Sequence, residues 1–163
     1  MQDEQRHILG LLVENQPGVL SRVAGLFSGR GFNIESLCVA ETNEPGVSRI
    51  TLVTKANEAI LEQIKKQVNK LVNVIKVIDL SNVPAVKREM VLIKVKAKPE
   101  HRAEILRIVD IFRCKVVDVS SEHYTVEVTG DQDKIAALLD LFRPMGIWEI
   151  ARTGINALSR EKK

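Results

Sequence analysis

The chain predicts an α+β fold built from two ferredoxin-like βαββαβ sandwiches in tandem. Three observations predict it. Along 163 residues the order strand, helix, strand, strand, helix, strand is written twice. A short turn-rich segment, Ser81-Asn82-Val83-Pro84-Ala85, separates the two copies. The helices of both copies are apolar on one stripe only, as expected of helices laid on one face of an antiparallel sheet.

The elements of the first copy follow in order. An apolar run, Ile8-Leu9-Gly10-Leu11-Leu12-Val13, gives a first strand over about 7–14. It stops at Glu14-Asn15-Gln16-Pro17-Gly18, and a helix follows with Val19, Leu20, Val23, Leu26 and Phe27 at core spacing. Ser28-Gly29-Arg30-Gly31 ends that helix, and a second strand covers roughly 32–41. Thr42-Asn43-Glu44-Pro45-Gly46 reads as a hairpin loop leading into a third strand, Val47 to Thr54. Asn57 is placed to cap a helix carrying Ile60, Leu61, Ile64, Val68 and Leu71, and Val72 to Leu80 forms the fourth strand.

The second copy opens with a strand over Arg88 to Lys96. Pro99 starts a helix with Ile105, Leu106, Val109 and Phe112 inward. Lys115–Ser120 and His123–Thr129 make a hairpin, Asp131 caps a helix carrying Ile135, Leu138, Leu139 and Phe142, and Ile147 to Arg152 is the last strand. The division is therefore 1–82 and 83–163. Because the first strand is apolar on both faces, the first sheet requires cover on its helix-free side from the sister domain, a second copy or a partner. This favours a homo-oligomer.

Composition narrows the function. Residues 1–82 hold nine basic and nine acidic side chains and 83–163 hold fifteen and twelve, so the excess of +3 sits in the second half. Lys94, Lys96, Lys98 and the tail Arg160-Glu161-Lys162-Lys163 account for much of it, which suits a solvated face better than a nucleic-acid footprint. No apolar run approaches the ~20 residues that span a bilayer, and Met1-Gln2-Asp3-Glu4-Gln5-Arg6 is no signal peptide. A cytoplasmic protein with Cys38 and Cys114 as buried, reduced thiols is expected. His7, His101 and His123 lie at neither metal-ligand nor triad spacing, and the last two are expected in solvent. No phosphate loop, GxGxxG, HExxH or nucleophile elbow is present, so neither a catalytic nor a metal site is read. An acylphosphatase-like enzyme would need an arginine in the first turn, where there is none. An RNA-binding sheet would need aromatics, and Val47-Ser48-Arg49-Ile50-Thr51-Leu52-Val53 has none.

The informative turn is Asn15-Gln16-Pro17-Gly18. A helix start exposes backbone N–H groups at a positive dipole end, where an anion is received. The expected donors are Gly18, Val19 and Leu20, since Pro17 has no N–H. The matching turn of the second copy, Ala97-Lys98-Pro99-Glu100, has no glycine and carries an acid, so the site belongs to the first copy. Gly31-Phe32-Asn33 is expected at the same end of the sheet, giving two Asn side chains and three amides for an amino group and a carboxylate.

These residues resemble a known family. Leu12 to Val23 resembles the first turn of an ACT domain. Together with Leu26 to Leu37 it resembles the regulatory (small) subunit of acetohydroxyacid synthase, also called acetolactate synthase. So do Leu61 to Val72, Arg88 to Val95, Ile111-Phe112-Arg113, Ala151-Arg152-Thr153-Gly154 and Leu158-Ser159-Arg160. The resemblance implies an N-terminal ACT domain for effector binding and dimerisation, followed by a ferredoxin-like regulatory domain. It implies a homodimer that binds a branched-chain amino acid, L-valine, between two ACT domains. The site positions carried over are Asn15, Gly18, Val19, Leu20, Asn33 and Ile34, with amides on the carboxylate, Asn side chains on polar ends and Ile34 in the apolar pocket. Cys38 stands where the family often has a small polar residue, which bears on pocket shape. The chain would activate a separate catalytic (large) subunit and confer feedback inhibition on it. Thiamine diphosphate, Mg2+ and FAD are expected on that subunit and no cofactor on this chain, with neither nucleic acid nor membrane as partner. The alternative is a free-standing amino-acid sensor acting on another enzyme, which would not co-purify with a thiamine-diphosphate enzyme.

Overall fold

The computed structural model describes residues 4–161. Met1 to Asp3 of the N-terminal segment, and Lys162 and Lys163 of the basic tail, lie outside the described residues. The chain forms two compact units. The first comprises residues up to 86 together with those from 155 onward, and the second is 87–154. The sequence division at 82/83 assigned residues 155–161 to the second unit; the structure packs them with the first.

In the first unit the elements are β1 (Gln5–Glu14), α1 (Val19–Gly29), β2 (Ile34–Glu41), β3 (Val47–Ala56), α2 (Glu58–Val68) and β4 (Val74–Asp79). The sheet is antiparallel with order β2-β3-β1-β4. Leu9 opposite Leu52 and Leu11 opposite Ile50 set the register. Their side chains join Val13, Val19, Val23, Phe27, Leu61, Ile64 and Val68 in the core between sheet and helices. Asn57 caps α2 as the sequence requires, its side chain accepting from the Ile60 amide at 2.9 Å. The fourth strand starts at Val74 rather than Val72, whose side chain is 93% exposed.

The other face of β1 is also buried, as its apolar run demands, but partly by this chain itself. Ile8, Val53 and Leu80 of the sheet pack with Ile155 and Ala157, and Val83 and Ala85 flank them. The segment carrying Ile155 and Ala157 includes a short strand absent from the sequence reading, Asn156–Ser159. It is held by Asn156 Oδ1, which accepts from Thr51 Oγ1 at 3.3 Å, and by the Arg160 amide donating to Pro84 O at 2.9 Å. No sister domain or second copy is needed over this part of the sheet.

The second unit repeats the plan with β5 (Ala85–Lys96), whose first two residues belong to the first unit, then α3 (Arg102–Ile111), β6 (Lys115–Val119), β7 (His123–Gly130), α4 (Gln132–Phe142) and β8 (Ile147–Arg152); the short C-terminal strand already described is β9. The sheet order is β6-β7-β5-β8, and β9 pairs with β5 off this path. Its core joins Val91, Ile93 and Val95 to Ile105, Ile135, Leu138 and Phe142. Asp131 caps α4, accepting from the Lys134 amide at 2.9 Å. Pro99 does not open α3: residues 99–101 form a turn, and the helix starts at Arg102. No described helix is long and apolar enough to cross a membrane.

Candidate functional site

The turn between β1 and α1 is fixed by its own backbone. The Glu14 amide donates to Asn73 O (2.9 Å), the Asn15 amide to Gly46 O (2.8 Å) and the Gln16 amide to Glu14 O (3.0 Å). Gly18 then turns the chain with φ of +84°, a left-handed conformation that favours glycine. A Cβ at Gly18 would meet no atom within 4 Å, so the glycine answers to backbone geometry and open space lies above it.

Gly18 is also the N-cap of α1 and offers no side chain to the first turn, which contains no acid either. The amides of Gly18, Leu20 and Ser21 meet no acceptor among the described residues. The Val19 amide, expected to be free, is partly engaged, donating to Gln16 O at 3.3 Å. Its side chain belongs to the core, whereas Leu20 is 43% exposed. The other helix starts differ. α2 and α4 are capped by Asn57 and Asp131, and α3 has Glu104 in its first turn. At α3 the side chain of Arg102 binds the neighbouring loop, donating to Ala97 O at 3.0 Å and Ser121 O at 2.8 Å. Among the described α-helices, α1 is the one whose start has neither a capping side chain nor an acid in its first turn.

Side chains that the sequence reading did not single out brace this end. Arg22, one turn into α1, donates to Asn73 Oδ1, and Asn73 Nδ2 donates to Glu14 Oε2 at 2.7 Å. The network ties β1, α1 and the approach to β4 through a buried asparagine. Asn15 is exposed, and its Nδ2 donates to Glu41 Oε1 at 2.5 Å. With the amide nitrogen so held, the Asn15 carbonyl oxygen remains to accept a hydrogen bond from outside.

Asn33 is exposed, and its carbonyl accepts from Thr54 Oγ1 at 2.6 Å. Ile34 starts β2 opposite Thr54, half-buried against the core. Gly31, with φ of +70°, ends α1 and lets the Phe32 amide return to Phe27 O at 2.9 Å. The expectation that Asn15 and Asn33 share one end of the sheet is wrong for a single chain. Glu14 faces Val47 and Ile34 faces Thr54, seven positions further along β3. At ~3.3 Å per residue the two half-sites lie about 23 Å apart. The reason is direction: α1 runs antiparallel to β1, so the chain leaves it at the end where β1 began.

Elsewhere, His123 is not in solvent as expected. It is half-buried, with Nδ1 2.8 Å from Ser120 Oγ, Nε2 3.4 Å from Asp118, and the Trp148 ring at 5.5 Å. Ser120 Oγ also accepts the amides of Glu122 and His123, which makes the group a hairpin turn. Among the described residues no three of His, Cys, Asp and Glu stand together as a metal site. Cys38 and Cys114 are free thiols, half-buried rather than fully buried.

Comparison with known proteins places these features. The family model described as the AHAS small subunit-like ACT domain matches residues 9–76, and that of the small subunit of acetolactate synthase matches 88–161. The acetolactate synthase small subunit of Aquifex aeolicus is 51% identical over 159 residues, covering 96% of this chain and 82% of that protein. The chain belongs to the family of acetolactate synthase small subunits. The small subunit of Mycolicibacterium smegmatis is 50% identical over 154 residues, 94% of this chain and 91% of that one. The crystal structure of the acetolactate synthase small subunit from Thermotoga maritima superposes with a TM-score of 0.89 at 44% identity, covering 98% of this chain and 99% of that one. Within this small-subunit fold, the glycine turn and the braced α1 start lie inside the ACT-domain match.

Proposed function

We propose that this chain is the non-catalytic regulatory subunit of an acetolactate synthase, working in the cytoplasm. It binds L-valine, activates a separate catalytic large subunit and confers feedback inhibition on it. The thiamine diphosphate, Mg2+ and FAD of the reaction belong to that large subunit. The reading is supported by family membership and by the chemistry of the α1 start. The amides of Gly18, Leu20 and Ser21 suit a carboxylate, the oxygens of Asn15 and Asn33 suit an ammonium group, and Ile34 suits a short branched side chain.

One observation carries the assembly. The half-sites lie at opposite ends of β2, and β2 is the edge of its sheet. A second copy pairing antiparallel along that edge by a two-fold axis sets the Ile34 end of one chain beside the Glu41 end of the other, where Asn15 is tethered. Each site is then shared by two chains, and each pair of chains holds two sites.

Calorimetry on two variants tests this. Gly18→Asp puts a carboxylate where the effector carboxylate sits, and valine binding is lost while circular dichroism is unchanged. Asn33→Ala leaves a ligand group unpaired and weakens binding by about 1–3 kcal/mol. Mixed dimers of the two variants contain one intact site, so co-refolding recovers up to half the binding capacity expected of those dimers. If mixing recovers nothing, or if Gly18→Asp binds valine normally, the shared site is wrong. Co-purification of a larger thiamine-diphosphate enzyme with the tagged chain tests the subunit role itself.

A further inference from the structure

We infer that the helix-free face of the first unit's sheet carries a second small-molecule site, which takes a monocarboxylate with a short apolar tail on Arg49. None of the six residues assigned to the valine site lines it. The groove there has a volume of about 390 Å³, within the range of small-molecule sites, roughly 300–1,000 Å³.

Arg49 is the one half-buried arginine among the described residues whose guanidinium meets no acceptor. Arg102, also half-buried, donates to two carbonyls, and the more exposed Arg6, Arg22 and Arg152 are each paired. A partly desolvated guanidinium with its donors idle is matched by a carboxylate, which it can hold with two parallel hydrogen bonds. The sheet makes room for it. Leu12 lies opposite Arg49 on β1 and Gly10 two positions before it on the same face; a Cβ at Gly10 would come within 3.3 Å of Arg49 Nη1, so the side chain reaches over the glycine. Leu12, Cys38, Ala40 and Leu158 supply apolar walls beside it. Glu41, held by Asn15, and Glu44 also line the groove and disfavour a ligand with a second negative charge.

Cys38 on the wall is a built-in reporter, and Cys114 in the second unit is the internal reference. The full-length chain is alkylated with a small thiol reagent, with and without 3-methylbutanoate, and each cysteine is followed by peptide mass spectrometry. The acid at ten times its dissociation constant slows alkylation of Cys38 about tenfold and leaves Cys114 unchanged. The uncharged amide of the same acid gives no protection. Arg49→Gln removes the protection, as does Leu158→Glu, an exposed position where the new carboxylate competes for Arg49 without disturbing the core. Gly18→Asp, which disables the valine site, leaves the protection intact. Protection by the amide, equal protection of both cysteines, persistence in Arg49→Gln, or loss in Gly18→Asp each overturns the proposal. The last outcome would instead trace the effect to the valine site.

Discussion

Ile155 follows the whole second unit in sequence, yet its side chain is 3% exposed in the first unit's outer cluster with Ile8, Val53 and Leu80. Replacing it by Ala removes three carbons from that cluster. Buried Ile→Ala changes cost about 2–5 kcal/mol. The lower end of that range gives about 2–3 kcal/mol. Native-state hydrogen exchange reads where that energy is lost. Slow amides of β1 and β3 should exchange roughly 30- to 160-fold faster, at 1.36 kcal/mol per tenfold, while those of β5, β7 and β8 beyond residue 90 hold their rates. Faster exchange confined to the second unit, with β1 and β3 unmoved, would refute the assignment of residues 155–159 to the first.

Three further outcomes follow from the packing. Glu89 is buried and receives two hydrogen bonds from Arg152, each of 2.7 Å; Glu89→Ala removes both, but the guanidinium left behind is half in solvent, so the second unit's urea midpoint should fall by the equivalent of about 1.5 kcal/mol. Burial pushes the Asp79 carboxyl up, but hydrogen bonds from Ser81 and Lys65 outweigh it and hold the group below its ordinary value. Its stabilisation is thus complete above the ordinary carboxylate range and lost as pH falls through and below it; in Asp79→Asn, acid titration of the first unit's stability should be shallower there. Asn57→Ala removes the α2 cap and should cost about 1 kcal/mol in thermal or urea unfolding, with the second unit unaffected.

Much of this was legible because it is local. The two helix caps, the hairpin at Thr42 to Gly46 and most of the helices' apolar stripes each depend on residues within a few positions of one another, although in α3 Leu106, expected inward, is 46% exposed and Ile108 is buried instead. The glycine turn was legible for the same reason. Residues that act through distant partners were not. Asn73, read from the sequence as part of the fourth strand, looks like any polar residue there, and only the register that sets it beside Glu14 and Arg22 gives it a role. The strand at Asn156–Ser159 has four residues, too few for a period, and its burial depends on Thr51 and Ile8, more than a hundred positions earlier. The position of Asn33 was misjudged although topology alone decides it, since a helix that returns antiparallel to its strand must deliver the chain to that strand's start.

The first unit is discontinuous, and this bears on how the chain is made. Domains generally fold in the order in which they leave the ribosome. Here the second unit, 87–154, is continuous and has all its parts as soon as residue 154 emerges. The first unit, begun earlier, still lacks Ile155 and Ala157 at that moment, and Ile8, Val53 and Leu80 wait uncovered. The half of the chain synthesised first is therefore finished last. Until the closing segment arrives, that apolar sheet face is open to chaperones or to another nascent copy.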